Sequence, residues 1–439
     1  MNSDDAARQA ALQIYQRFTQ SQQPQPSIDY FSPPPGYVDP DPATTYDPHP
    51  LVTAVQNAVT TANPGAFGGI YQTPDGVIHV GLVGGTASQL AQTATGAAPG
   101  ATVQIYSAKY SWSQLLAIAN DVVKAMANDS TGIIVSVTPD PTTNTVQVGV
   151  TNTTSPVAQA VAAQYGNAVN LVDDQPIEPL VGSAVQERPA QSTALAAAAR
   201  KPYPDRAKYH QPGYAGLYIT VPKGTPGSPN GAACTDGFGY HFGSPNGPYY
   251  ETGFYTAAHC VILQPPLTIW NQGGKSFGPW TRRSYNPGAA TARSDAATIT
   301  TNNTSTITYR KSSNLVAIAP GVPPAKITRR EALNAGQRGD RVEVSGAISG
   351  VRYGTLLNGG VGGVYKESGG TIITGVYKAK LNAPLVPGDS GAPVFEGTSN
   401  AVALGILNGR SSSTNDVAYY SQIALVENSL GVVTNTKAP

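Results

Sequence analysis

Residues 387–410 read PGDSGAPVFEGTSNAVALGILNGR. A turn of Pro, Gly, Asp and Ser leads into a short apolar run, APVFE. A second turn of Gly, Thr, Ser and Asn leads into another, AVALGIL. Apolar runs of this length between turn formers read as strands, since helices need more residues. The same texture extends from about Tyr214 to the C-terminus. GLYITV, GFYTAAH, AATIT, DRVEVSG and TIITGVYKAKL alternate with Gly, Pro, Asn and Ser. Only SQIALVENSL, residues 421–430, reads as a helix there. Residues 214–439 are therefore expected to form an all-β barrel or sandwich.

The whole chain has 439 residues, enough for two or more domains. Hydrophobic residues make up 40% and charged residues only 12%, about half the usual globular share. The net charge of +1 sets up no broad field for nucleic acid or an anionic membrane. Polarity must come from Ser, Thr, Asn, Gln and the 23 Tyr, and 47 Gly with 37 Pro imply many turns. No apolar run is long enough to span a bilayer. The N-terminal MNSDDAARQAALQIYQRF lacks the basic and apolar regions of a signal peptide. Cys234 and Cys260 are the two cysteines, either buried thiols or, in an oxidising compartment, a disulfide.

Upstream of 214 the pattern differs. Residues 3–18 are expected to form an amphipathic helix with Asp4 and Asp5 near its start and Leu12, Tyr15 and Phe18 on one face. Residues 22–50, rich in Pro, Asp and Tyr, read as a linker or wrapping arm. Residues 65–174 read as a small α+β unit. GGIYQTPDGVIHVGLV is a hairpin with a Pro-Asp-Gly turn, and ATVQIYSAKY is a third strand. Ser111 and Gln114 make a capping box for a helix that presents Leu115, Ala119, Val122 and Met126. GIIVSVTPDPTTNTVQVGVTN is a second hairpin. Ser155 caps another helix, with Pro156 in its first turn and Gly166 at its end, and AVNLV is a last strand. One sheet covered by two helices is the expected packing. His79, alone in a strand, reads as structural. Residues 175–213, with Arg200 and Lys201, lose periodicity and read as an exposed linker open to proteolysis, with a cut expected near 190–213. The expected division is an arm over 1–50, an α+β domain over 51–180, a linker over 181–213 and a β domain over 214–439.

The chemistry lies in three short motifs. In PGDSG, Gly388 and Gly391 permit a tight turn that exposes the Ser390 hydroxyl and aims the Gly388 and Ser390 amides into one space, as an oxyanion requires. Among five histidines, only His259 in FYTAAHC ends an apolar strand. His49 and His210 lie in Pro-rich segments, and His241 lies in a Gly-rich turn. Asp295, Asp340 and Asp389 lie between His259 and Ser390. Asp295 precedes the buried-strand run AATI, whereas Asp340 sits in a charged turn and Asp389 adjoins the serine. Nucleophile, base and orienting carboxylate are thus Ser390, His259 and Asp295.

TAAHC, SDAATI and GDSGAP in that order resemble the chymotrypsin-like serine proteases, whose triad is a standard template of serine catalysis. CTDGF resembles the streptogrisin and alpha-lytic type. The resemblance implies two β-barrels with the site between them, a serine endopeptidase, and no metal or organic cofactor. It also implies a Cys234–Cys260 disulfide, which would contribute about 3 kcal/mol, and secretion. The α+β unit resembles the pro-region of those bacterial enzymes, which implies an intramolecular chaperone and inhibitor that is later removed. It further implies a monomer with a polypeptide substrate and no nucleic-acid or membrane partner. Pro384 aligns with the base of the specificity pocket, where an aspartate would select Lys or Arg. Pro384, Leu385, Val386, Asn408, Gly409 and Arg410 then build a pocket for an apolar residue, with Arg410 as an alternative attraction for an acidic one. Asn408 is expected to hydrogen-bond Asp295, and Asp389 to take a cation, Arg341 or a new N-terminus. Two rival readings are a catalytically silent binding protein of the same fold and an esterase with the same three residues.

Overall fold

Six antiparallel strands close into a ring: Arg341–Gly346, Gly350–Leu356, Ile372–Leu381, Pro393–Glu396, Ala401–Ser411 and Val417–Gln422. Arg341–Gly346 pairs with Gly350–Leu356 and Pro393–Glu396, the chain of pairs runs on through Ala401–Ser411 and Val417–Gln422, and Ile372–Leu381 returns it to Gly350–Leu356. Closure removes exposed sheet edges, and the interior is filled by Val342, Val344, Leu381, Val394, Leu404, Leu407 and Tyr420. A second sheet contains Tyr218–Val221, Ala232–Thr235, Gly239–Phe242, Glu251–Thr256, Ile269–Gln272, Lys275–Arg283 and Ala297–Thr300. Phe254, Trp270, Phe277, Trp280 and Ile299 fill it. Phe238, Tyr255, Phe395, Ile406 and Val426 form a further core drawing on both groups of strands. The fold is mainly β, a closed six-stranded barrel and a second β-sheet preceded by a small α+β unit, and Ile423–Leu430 forms the helix read near the end. These features are those of a computed structural model that describes residues 29–84, 87–182, 206, 213–226, 230–243, 250–301 and 312–437. The helix expected over 3–18, Arg200, Lys201 and His210 lie outside the described residues.

The α+β unit contains the expected elements. Phe67–Gln72 and Ile78–Leu82 form the hairpin, and Gly76 at its turn has φ +86°, which favours glycine. Trp112–Asn128 has the Ser111–Gln114 capping box and buries Leu115, Ala119, Val122, Val123 and Met126. Pro156–Tyr165 starts at Ser155, whose Oγ accepts from the Ala158 amide at 3.1 Å.

Two helices were not read from the sequence. Pro50–Ala62 is rich in Val and Thr, which are weak helix formers, yet it buries Val52, Val55 and Val59 on one stripe. Ala87–Ala97 has few large apolar residues and is anchored through Leu90 and Ala94. It crosses between Ile78–Leu82 and Val103–Ser107, which pair in parallel.

The single expected sheet is instead two. Val103–Ser107 completes one three-stranded sheet. The other hairpin, Ile134–Asp140 with Thr145–Val150, joins the larger β-sheet through Val137 opposite Val364 and Ser136 opposite Tyr365. An unsatisfied strand edge gains ladder hydrogen bonds by this pairing, so the unit is grafted onto the C-terminal barrel. His79 stacks on Tyr71 with ring centroids 4.7 Å apart.

The arm does wrap. Phe31 is buried against the helix Trp112–Asn128, and Arg293 donates to the Ser32 and Asp29 carbonyls at 2.9 and 3.0 Å. Thr45 and Tyr46 pair with Arg330 and Glu331. Arg330 is buried, pairing with Glu427 and with Asp39 at 2.8 Å. His49 sits between Gln72 at 2.6 Å and Asp340 at 2.9 Å, so this third aspartate is engaged away from His259. Arg330→Ala leaves Glu427 charged and unpaired in the core, and unfolding in urea is expected to show a loss of about 3–5 kcal/mol. Arg330→Lys, which keeps the charge, is expected to lose clearly less.

Candidate active site

Strand register brings the first two side chains together. Glu251–Thr256 and Ala297–Thr300 are antiparallel, with Thr256 opposite Ala297. His259 lies just beyond one end, in the single turn Ala258–Cys260, and Asp295 just before the other. A Cys234–Cys260 disulfide pins the turn to the neighbouring strand Ala232–Thr235. Ser390 comes from the other barrel, in the turn before Pro393–Glu396. Gly388 and Gly391 have φ +103° and +86°, and a Cβ on Gly391 would collide with Thr256 Oγ1. That turn therefore requires glycine at these positions.

His259 Nδ1 lies 2.6 Å from Asp295 Oδ2, and Nε2 lies 2.7 Å from Ser390 Oγ. The His259 amide also donates to Asp295 Oδ1 at 3.0 Å. Burial disfavours a charged imidazole, but the Asp295 carboxylate outweighs it and holds the His259 pKa above its ordinary value. A hydroxyl hydrogen-bonded to an imidazole, itself oriented by a carboxylate, can become a nucleophile without a full negative charge forming first.

Two expected partners differ. Asn408 does not bond Asp295; its Oδ1 accepts from the Ser421 amide and hydroxyl, both at 3.0 Å. Ser421 Oγ in turn accepts from the Asp295 amide at 2.9 Å. The longer asparagine side chain thus acts through a serine. In the uncut chain Asp389 is held by backbone amides, whereas the cation was expected of the cleaved form. Oδ1 accepts from the Ile348 and Ser349 amides at 3.0 and 3.1 Å, and Oδ2 from the Val386 amide at 2.9 Å. Three backbone donors satisfy a buried carboxylate, and Arg341 pairs with Glu343 at 2.9 Å.

A fourth ionisable group borders the site and had no signal in the sequence. Glu367, in what reads as a polar turn, is buried beside Asp295. The Tyr285 hydroxyl donates between them, 3.3 Å from Asp295 Oδ1 and 3.2 Å from Glu367 Oε2. Burial first, then the Asp295 charge, push Glu367 up to about 8. Both causes favour its neutral, protonated form. Among the described residues, this trio alone brings three His, Asp or Glu ligand atoms within 4.8 Å. His259 Nδ1 and Asp295 Oδ2 are hydrogen-bonded to each other at 2.6 Å.

The cleft beside Ser390 is filled by the chain itself. Ile177–Pro179 lies antiparallel to Ala401–Ser411, with Ile177 opposite Ser411, Glu178 opposite Arg410 and Pro179 opposite Gly409. Leu180 follows: its amide donates to Ser390 Oγ at 2.8 Å, and its carbonyl accepts from the Gly388 amide at 2.5 Å. Gly182 then exchanges two backbone hydrogen bonds with Ala233, at 2.9 and 2.8 Å. The sequence reading placed these residues at the end of the α+β unit and the start of an exposed linker, with no role in the cleft. Leu180 is fully buried with Leu385 in the C-terminal barrel core. Val386 packs against Tyr218, Ala347 and Ile348. Pro384 is exposed, with its carbonyl 3.4 Å from Arg352 Nε, so it does not floor a buried pocket.

No family model and no curated protein matches this chain in sequence. Solved structures of proteases are similar to it. Thermobifida fusca Protease A aligns at 22% identity and TM-score 0.38, over 51% of this chain and 98% of that one. Nocardiopsis protease aligns at 22% and 0.36, over 52% and 98%. Cellulomonas bogoriensis chymotrypsin aligns at 19% and 0.37, over 51% and 98%.

Glu367 supplies a test by titration. As pH rises through about 8 it ionises beside Asp295, and the added negative charge stabilises imidazolium at His259. The NMR titration of the His259 ring should show an inflection near pH 8 in the native chain. Glu367→Gln should lose that inflection.

Proposed function

We propose that this chain is the precursor of a serine endopeptidase, with Ser390 as nucleophile, His259 as general base and Asp295 as its orienting carboxylate. The observation that carries this reading is the line of hydrogen bonds from Ser390 Oγ through His259 to Asp295, with an extended peptide alongside it. Ser390 Oγ attacks a peptide carbonyl as His259 Nε2 takes its proton. Asp295 stabilises the imidazolium, and His259 returns the proton to the departing amine. The Gly388 amide, already against the Leu180 carbonyl, is placed to hold the oxyanion, with the Ser390 amide as its partner. Water then hydrolyses the acyl-enzyme. No step calls on a metal or organic cofactor.

The α+β unit is read as a pro-region. It adds a hairpin to the C-terminal barrel and runs its last strand through the cleft, so an intact chain blocks its own site. Arg206 donates to the Gly216, Gly346, Ala317 and Ile318 carbonyls, and this ties residue 206 to the β unit. Removal of the pro-region therefore calls for a cut upstream of 206. That bound excludes 206–213, the end of the 190–213 window read from sequence, much of which lies outside the described residues. The disulfide supports an oxidising, extracellular setting, and no described helix is long and apolar enough to cross a membrane. The substrate is a polypeptide.

Ser390→Ala is expected to abolish labelling by a fluorophosphonate and to lower peptide hydrolysis about a thousandfold or more. Persistence of either activity in that variant would overturn the assignment. Hydrolysis should fall on the acid side as His259 is protonated, with a midpoint above the ordinary imidazole value because its pKa is raised.

A further inference from the structure

The strand in the cleft carries information about what the cleft selects. Leu180 stands where the residue before a scissile bond would stand, with its carbonyl on the Gly388 amide and its amide on Ser390 Oγ. Pro179, next upstream, is preset toward an extended backbone. Glu178 is opposite Arg410 in register, and its Oε2 lies 3.0 Å from Arg410 Nε. Arg410 is held in place by a second bond, from Nη1 to the Leu385 carbonyl at 2.6 Å. That bond ties the guanidinium to the segment whose Leu385 packs with Leu180. Arg410 is 14% exposed and Glu178 42%, so the pair lies at the rim, with the cation the more enclosed partner. Downstream, a Cβ on Gly182 would come within 3.2 Å of the Gly388 amide nitrogen, which leaves little room at that position.

We propose that Arg410 is a specificity-determining residue that reads a carboxylate on the third residue before the cut. The selected substrates are then polypeptides with an acidic residue, any residue and leucine ahead of the scissile bond and a small residue second after it. Leu180–Val181 is the first such bond the chain meets. This rests on the serine-endopeptidase reading above. Cleavage forms the ester bond between Ser390 Oγ and the Leu180 carbonyl carbon and breaks the bond to the Val181 nitrogen, which takes the serine's proton by way of His259. Water then releases the Leu180 carboxylate and returns Ser390 to its hydroxyl form. The sequence reading favoured an apolar residue before the cut and gave Arg410, near the rim, as an alternative attraction for an acidic one. The register moves that acid two residues upstream, because the apolar pocket is filled by Leu180.

The test follows full-length chains over time by intact mass and N-terminal sequencing, with fluorophosphonate labelling in parallel. Native chain is expected to yield a fragment starting at Val181. Glu178→Gln should slow that cut about threefold, as for a partly exposed ion pair, and Glu178→Lys should slow it more. Arg410→Glu should slow the native cut and restore it when combined with Glu178→Lys. The same order is expected for quenched peptides Ile-Glu-Pro-Leu-Val-Gly, Ile-Gln-Pro-Leu-Val-Gly and Ile-Lys-Pro-Leu-Val-Gly added to the processed protein. If Ser390 is labelled but the chain is cut elsewhere, is not cut, or is cut equally fast in all variants, the specificity proposal is overturned and the protease reading stands. If Ser390 is not labelled and no peptide is hydrolysed, the protease reading falls and takes this proposal with it.

Discussion

Asp295 is a fully buried carboxylate, and such a charge persists only where donors surround it. It accepts from the His259 amide and ring and from the Tyr285 hydroxyl, and Glu367 stands beside it. These groups come from three parts of the chain. The turn after Glu251–Thr256 supplies His259, the end of Lys275–Arg283 leads to Tyr285, and the C-terminal barrel supplies Glu367. The seam between the barrels is thus organised around one negative charge. The same charge fixes the His259 ring with Nε2 toward Ser390. The donors to the carboxylate, His259 and Tyr285, belong to the same β unit as Asp295, while Glu367 and Ser421 meet the Asp295 residue from the C-terminal barrel.

Much of this was legible in the sequence because the signals were local. Glycine at 388 and 391, small residues before His259 and an aspartate ahead of AATI each constrain a turn or a strand end. The capping box at Ser111 and Gln114 was equally plain. What was missed depends on long-range partners. Glu367 looks like any polar turn residue until burial beside Asp295 changes its proton affinity. The three backbone amides that hold Asp389 in the uncut chain cannot be seen in a list of side chains. Asn408 bonds Ser421 rather than Asp295, and Ser421 in turn accepts from the Asp295 amide, a pairing across separate strands. Pro50–Ala62 has residues that favour strands, and tertiary burial of three valines overrides that preference.

The strand through the cleft was illegible for a different reason. Ile177–Gly182 has no pattern of its own and is ordered only by what it pairs with. Its backbone bonds to Ala401–Ser411, Gly388 and Ala233 replace those a separate peptide would make. Because it is covalently tethered, it competes at an effective concentration well above that of a free peptide, on the order of millimolar for a short flexible link. Modest contacts, including a rim ion pair, then suffice to keep the site filled.

The α+β unit is also fastened to the C-terminal barrel at points other than the cleft strand. A strand held only by its cleft contacts would be displaced by substrate, or lost once cut. The hairpin pairing of Val137 with Val364 and the Asp39–Arg330 ion pair add attachments to the C-terminal barrel, and Phe31 ties the arm to the helix Trp112–Asn128. Severing the chain near residue 181 would remove the tether's concentration advantage only on the downstream side. The upstream strand would stay bound as a product until the hairpin and arm let go. In the proposed precursor, release of the cleft then depends on those contacts as well as on the cleft strand itself.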